Sequence, residues 1–153
     1  MTPINHKNMH SKTGYWFEVS VRYERMLDDG TNKKVTETYV TEAMSFSEVE
    51  KRIMNEVGKL VRGGLEVKKI TPAAYKEVVF SDNSADEHWF KAKVSFITLD
   101  EKSGKEKRST TQYLVQADTF DDAVEHINSF MESTGDYLTA TVTETKIIEV
   151  YEK

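Results

Sequence analysis

The residues that could do chemistry are few and scattered. His6 and His10 stand four apart, the spacing at which two imidazoles on one helical face could share a metal. Their surroundings, MTPINHKNMHSKTG, are polar and offer no acidic or further histidine neighbour, so a solvated tail is expected over residues 1–14. His88 precedes Trp89, and His126 follows Glu125; neither has the context of a serine nucleophile. The carboxylate pairs Asp28-Asp29 and Asp100-Glu101 fall in turns. Asp121-Asp122 falls in a helix first turn, where acid complements the macrodipole. Gly63-Gly64 reads as a helix stop, and no GxGxxG or P-loop pattern occurs. The absence of cysteine excludes disulfides, thiolate chemistry and Cys-based metal centres. No enzyme activity, cofactor or metal site is therefore expected.

A second set of residues could bind rather than react. Trp16 and Trp89 each head a strand in which Lys, Arg, Ser and Thr alternate with apolar residues. On the polar side, Trp16, Arg22 and Lys34 fall together, as do Trp89, Lys91, Lys93 and Arg108. Lys33 and Lys107 add charge at the adjoining turns. Rings among cations on an open sheet suit single-stranded DNA: bases stack on the rings, and cations follow the phosphates. These nine residues are the candidate contacts. A Trp at a strand start can equally seal the sheet end or pack two units together, and a basic turn can be a solvated hairpin tip. No RNA-recognition or KH motif is present.

The elements that position these residues occur twice. HWFKAKVSF (88–96) echoes YWFEVSVRY (15–23). At an offset of 74, Gly30, Thr36, Tyr39, Ala43, Phe46 and Ile53 fall on Gly104, Thr110, Tyr113, Ala117, Phe120 and Ile127. Each copy reads as strand, Gly-bearing turn, Thr/Val/Tyr-rich strand, capped helix and long closing strand. Ser45 with Glu48, and Thr119 with Asp122, form the capping signals. Helix one carries Val49, Ile53, Val57, Leu60 and Val61 on a stripe and is expected to stop at Gly63-Gly64; helix two stops near Gly135. Pro72 inside LEVKKITPAAYKEVVF predicts an edge, a bulge or a break.

The fold class expected is α+β. A ββαβ unit is duplicated in tandem, with antiparallel sheets, one helix per repeat and pseudo-twofold symmetry. The domains expected are a 1–14 tail, a 15–80 repeat, an 81–88 linker and an 89–153 repeat, the two repeats forming one compact domain. A lone unit has a meagre core, so each half needs its twin.

Charge is uneven along the chain. Residues 1–80 carry 13 basic against 11 acidic side chains, residues 81–153 carry 8 against 15, and the whole has a net charge of −5. A basic half can meet a polyanion, although two surfaces can also simply diverge. No apolar run reaches the ~18 residues of a membrane helix, and the N-terminus lacks an apolar signal region. A cytoplasmic protein with no membrane partner is expected. Its expected partners are single-stranded DNA, a second copy of the chain, or another protein met at long strand edges such as TATVTETKIIEVYEK.

The stretches WFEVSVRYE, KKVTETYV, AMSFSEVEKRI, HWFKAKVSFITLDEKSGKEKRSTTQYLVQA and TETKIIEVY resemble one uncharacterised family. Its members are proteins of about 150 residues from Bacteroidetes and their phages, including crAss-like phages. The resemblance covers residues 15–151 and is most specific over 89–117. It implies a cytosolic or phage-encoded protein, in the latter case in the bacterial host cytoplasm. It brings no activity and no catalytic residue. A phage setting favours nucleic-acid handling and also permits a virion component or an inhibitor of a host factor.

Overall fold

The computed structural model describes residues 14–132 and 137–152. They form eight strands and two α-helices: β1 (Tyr15–Met26), β2 (Asn32–Ala43), α1 (Phe46–Glu56), β3 (Glu66–Pro72), β4 (Tyr75–Val79), β5 (His88–Leu99), β6 (Glu106–Ala117), α2 (Phe120–Met131), β7 (Tyr137–Glu144) and β8 (Ile147–Tyr151). The class is α+β. The expected tail over 1–14 lies, but for Gly14, outside the described residues, as do His6, His10 and Gly135.

Each long hairpin follows from alternation plus a turn that needs glycine. In β1, Phe17, Val19 and Val21 are buried, and the register sets them opposite Thr41, Tyr39 and Glu37 of β2. Gly30 closes the turn at φ 86°, with its N–H donating to the Leu27 carbonyl at 2.9 Å. Gly104 does the same between β5 and β6 at φ 69°, donating to the Asp100 carbonyl at 2.8 Å.

Both helices begin where the capping signals stand. Ser45 Oγ accepts from Glu48 N–H at 3.2 Å, while Glu48 reaches back to accept from Met44 N–H at 3.0 Å. Thr119 Oγ1 accepts from Asp122 N–H at 3.1 Å. Helix α1 then buries Val49 and Ile53 against β1 and β2, and α2 buries Ala123, Ile127 and Met131. Helix α1 ends earlier than expected, at Glu56, and passes into a 3-10 turn over Gly58–Leu60. Gly58 weakens the helix at that point, and Leu60, expected on the buried stripe, is 74% exposed.

The closing strands differ most from expectation. Each is two strands in two sheets. The first sheet has the order β3-β1-β2-β8 and the second β4-β6-β5-β7. The chain therefore leaves the first sheet after Pro72, adds β4 to the second, builds the rest of the second, and returns β8 to the first. Read from its own third strand, each sheet has the same order. The sheets are not wholly antiparallel: β8 runs parallel to β2, and β4 parallel to β6. The two compact units are accordingly 74–145 and 11–73 with 146–153, in place of 15–80 and 89–153. Pro72 marks the break because it gives no ladder donor; the next N–H, of Ala73, still donates to the Trp16 carbonyl at 2.9 Å.

In the first unit β8 is held by side chains as well as by its ladder. Tyr151 stacks on Tyr39 with centroids 6.1 Å apart, and Arg52 Nη1 donates to the Glu152 carbonyl at 2.7 Å. In the second unit the core gathers Val79 of β4 with Ala92, Val94, Tyr113 and Val115 under α2.

Candidate nucleic-acid interface

Strand alternation divides the nine candidates between two faces of each sheet. Helix α1 covers the face of Phe17, Val19 and Tyr39. The opposite face carries Trp16, Ser20 and Arg22 from β1, with Thr36 and Lys34 from β2. Lys33 pairs with Arg25 and so lies on the helix side, away from Lys34. In the second sheet Lys107 pairs with Thr98, also on the helix side, whereas Arg108 pairs with Ile97 on the open side. Neighbouring residues of a strand cannot both face one ligand, so Lys33 and Lys107 leave the expected site.

The two indoles are a further correction. Trp16 is 7% exposed and Trp89 1% exposed, so neither offers a ring face for base stacking. Trp89 stands edge-on to Phe80, with centroids 5.6 Å apart. Beside it Gln116, its cross-strand partner, accepts from Ser81 N–H at 2.9 Å and donates to the Asp86 carbonyl at 2.9 Å. Ser81 Oγ in turn donates to the buried Asp86 carboxylate. Residues 81–88, read as a linker, are thus a bonded loop. Asn83 turns it, accepting from Ala85 N–H at 3.0 Å through Oδ1.

On the second sheet this face bears a strip of three cations, although Leu114 opposite Lys91 and Ser95 beside Lys93 are buried. Lys93 and Arg108 are exposed; Lys91 is half-buried, with its ammonium 5.8 Å from the Tyr75 ring centroid. Around them the same face carries Ser95, Thr110, Gln112, Thr141 and Thr143. Among the described residues of this face, the carboxylate nearest the strip is Glu106, opposite Leu99 at the hairpin end. On the first sheet Arg22 and Lys34 are diagonal neighbours lining a hollow of about 250 Å³. Sequence reading missed Arg62, which lines the same hollow from the loop after α1; its place immediately before Gly63-Gly64 was the available signal.

Several other titratable groups are engaged locally. Asp29 accepts from Thr31 N–H and Oγ1 at 2.9 and 2.6 Å, which holds its carboxyl below the ordinary range. The backbone N–H of Lys102 does the same for Asp100, at 3.0 Å. His126 donates Nδ1–H to the Gln116 carbonyl at 2.8 Å. His88 lies 3.6 Å from the Glu144 carboxylate. Burial raises the hydroxyls of Tyr39, Tyr113 and Tyr151 above their usual range, with Glu37 adding to the effect at Tyr39. Among the described residues no group of three or more His, Asp or Glu could hold a metal ion, and no helix is long and apolar enough to cross a membrane.

A model of one family, described as a domain of unknown function (DUF4494), matches residues 15–153. The chain belongs to the DUF4494 family. That match spans both sheets of this DUF4494 protein and leaves only the first fourteen residues outside it. No curated protein and no solved structure matches it.

Proposed function

We propose that this DUF4494 chain is a non-enzymatic single-stranded nucleic-acid-binding protein that holds a strand by its phosphates. The single observation carrying this reading is that Lys91, Lys93 and Arg108 share one face of the second sheet, where Glu106, two residues before Arg108, is the acidic neighbour. It stands out because residues 81–153 as a whole carry an excess of seven acidic side chains, 15 against 8. Cations concentrated on one face of an otherwise acidic unit form an electrostatic footprint. Four strands at ~4.8 Å spacing form a surface too broad for a ~12 Å major groove, which favours a flexible single strand over a duplex. Stacking on Trp16 and Trp89 is not part of the reading. The local engagement of Asp29, Asp100 and His126 supports a binding role over a catalytic one. A source in Bacteroidetes or their phages accompanies this proposal.

We also infer that the common strand order of the two sheets arose by tandem duplication of a ββαβ unit. The portion after each third strand is then exchanged between copies. Support comes from the paired caps, Ser45 and Thr119, and the paired turns, Gly30 and Gly104.

The test is fluorescence anisotropy of labelled oligo(dT) at low salt. The expected result is saturable binding that the double charge reversal Lys93→Glu, Arg108→Glu abolishes while far-UV dichroism stays native. Equal binding by both proteins would sink the proposal.

A second reading, a protein-interaction or oligomeric module, is favoured by one contrast. Edge strand β3 carries Lys68, Lys69 and Pro72, which discourage pairing. Edge strand β7, YLTATVTE, has neither lysine nor proline, and its Leu138 is 50% exposed. Light scattering that showed a stable dimer, with no oligonucleotide binding, would favour this module.

A further inference from the structure

We propose that the hollow beside Arg22, Lys34 and Arg62 is a binding site for a phosphate monoester dianion. It lies in the first sheet's unit and does not depend on the strip of the second sheet. Arg22 and Lys34 come from the open face of β1 and β2. Arg62 comes from the loop between α1 and β3. None of these three cations forms an ion pair among the described residues, and all three are exposed. Two carboxylates also line the hollow, Glu24 and Glu66. Glu66 lies opposite Arg22 in the β1–β3 register and is also held by Lys68 Nζ at 3.2 Å, so the hollow together with that lysine carries four cations against two carboxylates. The residual charge is then +2. A phosphate monoester carries ≈ −1.5 to −2 at neutral pH, so its charge matches.

The shape agrees with the charge. At about 250 Å³ the hollow is smaller than the ~300–1,000 Å³ of sites that engulf a whole ligand, which suits a head group. Gly63 stands at φ 88°, and a Cβ built on it or on Gly64 would meet nothing within 4 Å. That rim is bare backbone, open to an oxyanion. Two guanidiniums can each present a planar fork to phosphate oxygens, and Lys34 adds a point charge.

The chemistry has two sources: a free nucleoside 5′-monophosphate, or the 5′-phosphate end of a nucleic-acid strand. The experiment is a ¹⁵N–¹H titration of the full chain with inorganic phosphate, a nucleoside 5′-monophosphate, and oligo(dT) with and without a 5′-phosphate, all at matched ionic strength. Saturable shifts of the Gly63 and Gly64 amides are expected with phosphate and with the mononucleotide. Arg62→Ala should weaken them about tenfold. Lys34→Ala is a second variant with the same expectation, and Lys93→Glu should leave them unchanged. Tighter binding of the 5′-phosphorylated strand over its 5′-hydroxyl counterpart assigns the site to strand ends; equal binding of the two strands assigns it to free monoesters. Shifts that track ionic strength alone, or that survive Arg62→Ala and Lys34→Ala unaltered, overturn the proposal.

Discussion

Thr145 grips the Trp89 carbonyl twice, through its backbone N–H at 2.9 Å and its Oγ1 at 2.8 Å. The corresponding contact in the other sheet is single, from Ala73 N–H to the Trp16 carbonyl at 2.9 Å. Both contacts sit where the chain leaves one sheet for the other, at Ala73 between β3 and β4 and at Thr145 between β7 and β8. The ladder has ended there, and the freed carbonyl is satisfied by the first residue past the strand or its bounding alanine.

Thr145→Ala is therefore expected to lower stability by about 0.5–1.5 kcal/mol, the value of one hydroxyl hydrogen bond. Ala73→Pro should cost more, because it removes the N–H that donates to the Trp16 carbonyl and fixes φ where the chain changes sheets. Urea denaturation midpoints check both.

Trp16→Ala and Trp89→Ala should act on folding. Loss of a large buried ring costs about 3–5 kcal/mol. Trp89→Phe, which keeps an aromatic against Phe80, should be milder, and its oligonucleotide affinity should match that of the parent protein. Thermal unfolding and anisotropy on the same samples separate the two effects.

Two buried tyrosines and one partly buried one set an alkaline limit. Tyr39, Tyr113 and Tyr151 have folded hydroxyl pKa values above the unfolded value near 10. The folded state then binds more protons than the unfolded chain at alkaline pH. Their contribution is fully present below pH ~10 and is lost as pH rises toward the folded values. Stability measured by urea should fall steeply above that pH. Tyr39→Phe should reduce the slope, because Tyr39 OH, which donates to Glu37 at 3.0 Å, is the most shifted of the three.

The helix caps offer a matched pair. Ser45→Ala and Thr119→Ala each remove one side-chain acceptor, and each should cost about 0.5–2 kcal/mol by chemical denaturation.

Self-association through the lysine-free edge of the second sheet would use β7. Thr141→Lys places a charge on that strand and should reduce any concentration-dependent rise in mass seen by light scattering. The same substitution leaves Lys93 and Arg108 in place, so oligonucleotide binding should persist.

Local signals in the sequence carried far. The alternation of β1 and β5, the glycine turns and both capping residues stand where their chemistry places them. The exchange of β4 and β8 was not legible, because strand propensity runs unbroken through YKEVVF and IIEVY and says nothing of which sheet receives them. Pro72 predicted an edge, a bulge or a break; only tertiary pairing determines which of these it is and where the strand resumes. The indoles illustrate a second gap. Alternation put Trp89 on the face away from α2, yet its burial accompanies a loop held by Ser81, Asp86 and Gln116, three polar residues with no periodic signal. Lys33 and Lys107 were lost to the same alternation that kept Lys34 and Arg108.

The most direct test of the phosphate-holding strip is the salt dependence of oligo(dT) affinity. Three phosphate contacts on a single strand should give a slope of log K against log salt of roughly −2. Removing two cations by Lys93→Ala and Arg108→Ala should bring it to about −0.7. A slope near zero in the parent protein, or one unchanged in the double variant, would contradict the account.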